Sequence, residues 1–96
     1  MLGFDQSTAL ITGASSGIGE ALAYALADRG LDLVITARRA ERLAAIKENL
    51  ETRVKVTTIA CDLTASGGVE HLIKTLKEAD ARIDMLVNCA GLAPHV

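Results

Sequence analysis

The sequence predicts an α/β fold with a parallel sheet, in the order β-α-β-α-β-α-β. Short aliphatic or β-branched runs alternate with longer stretches whose apolar residues recur at helical spacing, the pattern of βαβ units. The strand-like runs are continuously apolar rather than alternating, as at Leu33-Val34-Ile35, which suits strands covered on both faces. Every connection between runs is short. Of the 96 residues half are hydrophobic, yet the aromatics are only Phe4 and Tyr24, so the interior must be aliphatic: 13 Leu, 7 Ile, 6 Val and 16 Ala. That load places the chain far from disordered compositions.

The first strand is read at Ser7 to Thr12, stopped by Gly13. A helical stripe follows at Ile18, Leu22 and Leu26, with alanines between, and Gly30 suits the left-handed position after a helix end. Leu31 to Ala37 reads as strand two. The next helix runs from about Arg39 to Glu51, with Leu43, Ile46 and Leu50 on one face. Val54 to Cys61 is strand three, and Val69, Leu72, Ile73 and Leu76 mark helix three. Gly67-Gly68 falls in the loop or first turn of that helix, where each glycine costs roughly 1 kcal/mol against Ala, and Ser66 is a candidate N-cap. Ile83 to Asn88 reads as strand four. No linker, low-complexity segment or internal repeat interrupts this rhythm.

Charge and composition exclude several function classes. A net charge of −2 and a pI near 5.6 leave no basic footprint for nucleic acid or an anionic membrane. No apolar stretch approaches the ~20 residues of a membrane span, and MLGFDQST lacks the basic and apolar regions of a signal peptide. The expected location is cytoplasmic. Cys61 and Cys89, 28 residues apart, are too few for a disulfide scaffold and lack metal-type spacing; His71 and His95 complete no cluster, so no metal is expected.

The segment with the most chemistry is Thr12-Gly13-Ala14-Ser15-Ser16-Gly17-Ile18-Gly19, placed where strand one hands over to helix one. In that context a glycine pattern reads as a phosphate site. Gly13 lets the chain turn off the strand, Gly17 lets the backbone approach a pyrophosphate, and Gly19 allows close packing of helix on sheet. The helix N-terminus offers free N–H groups and a positive dipole end, including the Ile18 amide, and Ser15 and Ser16 add hydroxyl donors. No Gly-Lys-Ser/Thr follows, which excludes a P-loop. Taken alone, the pattern also suits a glycine-rich turn without a ligand.

The TGASSGIG segment resembles the T-G-x-x-x-G-x-G signature of the classical short-chain dehydrogenase/reductase family. Three further matches follow in order: Arg38-Arg39 after strand two, Asp62-Leu63 after strand three, and Asn88-Cys89-Ala90-Gly91 after strand four. The resemblance covers nearly the whole chain. It implies a Rossmann-type sheet of spatial order 3-2-1-4, and residues 1–96 as a single NAD(P)-binding half of a doubly wound domain. In that order Cys61 and Cys89 end strands three spacings apart, roughly 14 Å, too far for a disulfide.

The resemblance also implies a nicotinamide cofactor. NAD-selective Rossmann sites place an acidic residue about 20 residues beyond the glycines, on the ribose hydroxyls; here the strand ends Ala37-Arg38-Arg39. Two guanidiniums suit a 2′-phosphate, so NADP(H) is expected over NAD(H), with Arg38 the main contact and Arg39 second. Many NADP-preferring relatives also carry a basic residue before the second glycine, where this chain has Ser16. Asp62 resembles the family aspartate that accepts from the adenine amino group, with the Leu63 backbone beside it. Asn88, Ala90 and Gly91 match a segment that lines the adenine-ribose side, and Cys89 replaces its second Asn.

The family's chemistry is carried by a Tyr-x-x-x-Lys pair in the C-terminal half. The single tyrosine, Tyr24, is followed four residues later by Asp28, so no catalytic residue is expected in this chain. The abrupt Ala93-Pro94-His95-Val96 reads as a cut, with strand four left as an uncovered edge. The leading expectation is therefore the cofactor-binding portion of an oxidoreductase moving hydride between nicotinamide and a small carbonyl or alcohol substrate, in a homo-oligomer. A stand-alone nucleotide-binding or interaction protein is the alternative. A methyltransferase half would want an acidic residue where Arg38 stands.

Overall fold

A computed structural model describes residues 7–89. They form β1 (Thr8–Thr12), α1 (Gly17–Asp28), β2 (Asp32–Ala37), α2 (Ala40–Leu50), β3 (Val56–Ala60), α3 (Gly68–Glu78) and β4 (Met85–Asn88). The strands make one parallel sheet of order β3-β2-β1-β4, as the resemblance implied. In register, Leu10 lies between Val34 and Leu86, and Ile11 between Ile35 and Val87. Each lateral row therefore mixes residues from several strands but faces one side.

On one face Ala9, Ile11, Leu33 and Ile35 pack against α1 and α2, with Leu43, Ile46 and Leu50 fully covered. The α2 stripe thus faces inward as its periodicity predicts. The α1 stripe does so only in part, at Leu22 and Leu26. Gly19, Ala23 and Ala27 are its buried residues, Leu22 and Leu26 are only partly covered, and Ile18 is 53% exposed. At its start α1 lies hard against the β1 turn, where a Cβ on Gly19 would overlap the Gly13 carbonyl oxygen. Small residues, Gly19, Ala23 and Ala27, form the helix's buried face, and larger side chains flank them.

The other face carries Leu10, Val34 and Ile59 beneath α3, which contributes Leu72. Val69 and Ile73 of α3 stand 46% and 47% exposed, and Leu86 on β4 is 64% exposed. The expectation of an uncovered β4 holds for Leu86, whereas Val87, on the opposite pleat, packs against the α1 side.

Helix ends refine the sequence reading. Gly30, at φ +87°, terminates α1 with Gly30 N–H donating to Ala27 O and Leu31 N–H to Leu26 O, a Schellman arrangement. Asp80 makes the same closure for α3 at φ +52°, an uncommon position for a residue with a Cβ. The α3 N-cap is Gly67 at φ +81°, not Ser66, and no side chain caps it. Strands three and four start two residues later than their apolar runs. The Val54 amide is still bonded to Leu50 O at the α2 exit, and the Asp84 carboxylate accepts the Thr8 amide just ahead of β4.

Candidate functional site

At the C-terminal edge of a parallel sheet the chain leaves each strand for the next helix, and there the sequence-selected residues converge. Gly13 takes φ +68°, turning the chain off β1, and Ser16 N–H closes the turn on Gly13 O at 3.1 Å. Ala14 N–H ties the loop to Thr36 O on β2. The Ser16 hydroxyl accepts from the Gly19 amide at 3.0 Å and donates to Gly13 O at 2.8 Å, so it caps α1 and its proton is used internally. The Gly17 and Ile18 amides, at the first two helical positions, have no intrahelical acceptor.

Two glycines of this turn differ in what requires them. At Gly19 the fold's own backbone forbids a side chain. At Gly17 a Cβ would meet no atom within 4 Å. Open space in front of free amides at a helix N-terminus is a cradle suited to an anion held against the backbone.

Beside the turn lies a cleft of about 380 Å³ between the ends of β1, β2 and β3. Gly13, Ser15, Ser16, Arg38, Asp62 and Leu63 line it, each selected from the sequence. Arg38 enters no ion pair with a described residue, so its guanidinium is available to a ligand. Arg39 lies outside the lining; its Nε donates to Glu41 Oε1 at 3.1 Å on the exposed start of α2. The Glu41 carboxyl is held below the usual range by its own backbone amide and then by Arg39. Asp62 Oδ1 accepts from both the Thr64 hydroxyl, at 2.5 Å, and the Thr64 amide, at 2.9 Å. These bonds, the hydroxyl first, hold its carboxyl below the ordinary aspartate range, and the Arg38 charge adds a smaller pull.

Other selected residues act from behind the cleft. Thr12 donates its hydroxyl to Asn88 Oδ1 at 2.6 Å, locking the ends of β1 and β4 together. Gly17, Ile18 and Gly19 belong to the helix start rather than the lining. Ala90 and Gly91 lie outside the described residues. The sequence reading missed Thr36, Ala37, Cys61, Thr64 and Cys89 as lining residues. Their only signal was position: each ends a strand, or follows one, at the edge where Gly13 and Arg38 already stood. Cys61 and Cys89 are free thiols, and Cys61 Sγ lies 3.1 Å from the Thr36 hydroxyl. No group of residues suited to a metal ion occurs among the described residues, and no described helix is long and apolar enough to cross a membrane.

The family model for short chain dehydrogenases matches residues 7–96. The chain belongs to the short chain dehydrogenase family. The matched range spans the glycine turn, Arg38, Asp62 and Asn88, the residues that meet at this edge. Sulfoacetaldehyde reductase 2 of Chromohalobacter salexigens is 48% identical over 84 residues, 88% of this chain and 33% of that protein. Among solved structures, the RhlG/NADP active-site complex of Pseudomonas aeruginosa superposes with a TM-score of 0.79 at 35% identity, covering 92% of this chain and 37% of that one. A short-chain dehydrogenase from Sphingobium yanoikuyae, in complex with NADPH, gives 0.74 at 44% identity over 83% of this chain and 32% of its own. The chain therefore spans about a third of the length of these relatives. The tyrosine it does contain, Tyr24, accepts from Asn49 Nδ2 at 2.8 Å in an exposed contact between α1 and α2, outside the cleft lining.

Proposed function

We propose that the cleft binds a nicotinamide dinucleotide, NADP(H) in preference to NAD(H), and that the chain is the cofactor-binding portion of a short-chain reductase. The observation that carries this reading is Arg38: an unpaired guanidinium lines the cleft at the end of β2, the position where an acidic residue would hold ribose hydroxyls. The pyrophosphate would lie against the Gly17 and Ile18 amides in the space that Gly17 leaves open. Asp62 would accept from the adenine amino group, with Leu63 beside it, and Asn88, Ala90 and Gly91 would border the ribose. Arg39 would be a secondary phosphate contact at most, because Glu41 engages it. The relatives solved with NADP and NADPH support the same cofactor choice.

The bound cofactor supplies or accepts the hydride, and the substrate is a small carbonyl or alcohol compound. In that reaction the residues of this chain bind and orient the dinucleotide; the proton-transfer pair belongs to sequence other than these 96 residues. The unit would act within a homo-oligomer of the complete protein.

Calorimetric titration tests the cofactor choice. NADPH should bind at least about tenfold more tightly than NADH, the effect of one charge-assisted phosphate contact, and S-adenosylmethionine should not bind. Arg38→Asp should reverse the order. Equal affinities in the unaltered chain would sink the assignment.

A further inference from the structure

Among the described residues the carboxylate of Asp62 is the one acidic group lining the cleft, and it sits on a loop, where an aspartate side chain ordinarily samples several rotamers. Here it does not stand alone. Thr64 gives it two donors on one oxygen, hydroxyl and amide together, so both side-chain torsions are set before any ligand arrives. The backbone beneath it is equally constrained. Ala65 N–H closes a turn on Asp62 O, and Gly68 N–H closes the next on Ala65 O. Gly67, in the left-handed region, turns α3 so that its first residue lies hard against the loop. A Cβ on Gly68 would overlap the Asp62 carbonyl oxygen and press on Leu63.

We propose that Thr64 is a positioning residue for the cofactor: by occupying Oδ1 of Asp62 with two donors, it leaves Oδ2 as the acceptor presented to the adenine amino group. The inference rests on the reading of Asp62 as the adenine acceptor and extends it to a residue that touches Asp62 instead of the ligand. A carboxylate offers about four lone-pair sites, so two remain after Thr64 is served. Freezing a free aspartate on binding would weaken the complex roughly two- to tenfold, and the preformed turn removes that penalty. The lowered Asp62 pKa agrees, since an ionised carboxylate only accepts and adenine's amino group only donates.

The test compares NADPH with its hypoxanthine analogue, which carries a carbonyl oxygen where adenine carries the amino group. Affinities for both are measured by titration on the full native chain, for the unaltered protein, Thr64→Val, Thr64→Ser, Asp62→Asn and the Thr64→Val/Asp62→Asn double variant. Thr64→Val should weaken NADPH binding roughly two- to tenfold and move the adenine-to-hypoxanthine ratio toward one. Thr64→Ser should restore both. In the Asp62→Asn background, Thr64→Val should add nothing, because its effect runs through the carboxylate. An unchanged ratio in Thr64→Val, beside a collapsed ratio in Asp62→Asn, overturns the positioning role and leaves the adenine reading standing. An unchanged ratio in Asp62→Asn overturns the adenine reading, and the role of Thr64 falls with it. A purely structural Thr64 would lower both affinities equally and would not be rescued in the ratio by serine.

Discussion

On the α1–α2 face, Ile11, Leu33 and Ile35 are sealed beneath two helices, one of which turns the small residues Gly19, Ala23 and Ala27 inward. On the α3 face the same strands offer Leu10, Val34 and Ile59 to a single helix, and Val69, Ile73 and Leu86 remain about half exposed or more. One sheet thus has a side closed by two helices and a side closed by one amphipathic stripe. The site belongs to the first kind of construction at Gly13–Gly19 and to the second at Asp62–Gly68, where α3 begins. The contrast teaches that the glycine-turn end of the cleft is built onto the closed face, whereas the Asp62 end hangs on a turn and the start of a half-covered helix.

The largest expected effect separates the faces directly. Ile35→Ala should cost about 2–5 kcal/mol in urea unfolding, the range for a buried large-to-small change. Ile73→Ala, half exposed on α3, should stay within about 1 kcal/mol. Comparable losses would mean the α3 face is covered as fully as the other.

The two glycines of the turn sharpen the comparison next. Gly19→Ala must displace backbone and should lower stability by about 1–3 kcal/mol. Gly17→Ala meets no protein atom and should leave the unfolding free energy in urea within about 0.5 kcal/mol of the original while weakening cofactor binding. A Gly17→Ala chain that binds cofactor normally would break the cradle assignment.

A smaller effect is expected where α1 and α3 end alike on different residues. Asp80→Gly should raise stability by about 1 kcal/mol by relieving the left-handed position, and Gly30→Ala should lower it by a similar amount. Thermal unfolding distinguishes the two signs.

The smallest expected effect is on pH. The native carboxyl of Asp62 titrates below the unfolded one, so its contribution is complete above the ordinary aspartate pKa and is lost as pH falls through the lower native value. Between pH 8 and 5 Asp62 should therefore contribute no step to cofactor affinity: the Asp62→Asn profile should run parallel to the unaltered one, both carrying the step of the 2′-phosphate at about pH 6. A step near pH 5 to 6 that Asp62→Asn abolishes would mean that the carboxyl is raised instead of held down by Thr64.

How much was legible beforehand follows from the kind of information each feature needs. Strand identity was readable because continuous apolar runs such as Leu33-Val34-Ile35 have few other uses, and the α2 stripe was readable because Leu43, Ile46 and Leu50 have only one face to share. The α1 stripe misled at Ile18, since hydrophobicity alone points that residue inward and says nothing of the small residues that form the buried face. Ser66 looked like a cap by chemistry, but the tight α3 turn needed the positive φ of Gly67. Thr36, Cys61 and Thr64 carried no local mark of a site, because membership depends on which strand ends lie side by side.

By itself the sequence determined the α/β alternation, the glycine turn at the first strand–helix junction and a guanidinium in place of an acid after the second strand. These are local facts, set by residue type and spacing along one stretch of chain. The register of β1 between β2 and β4, the exposure of Ile18, the pairing of Arg39 with Glu41 and the grip of Thr64 on Asp62 were decided only in the tertiary structure. Each depends on distances between segments or on which of several possible partners a side chain reaches. Packing and hydrogen-bond geometry settle that choice, and spacing along the chain does not record it.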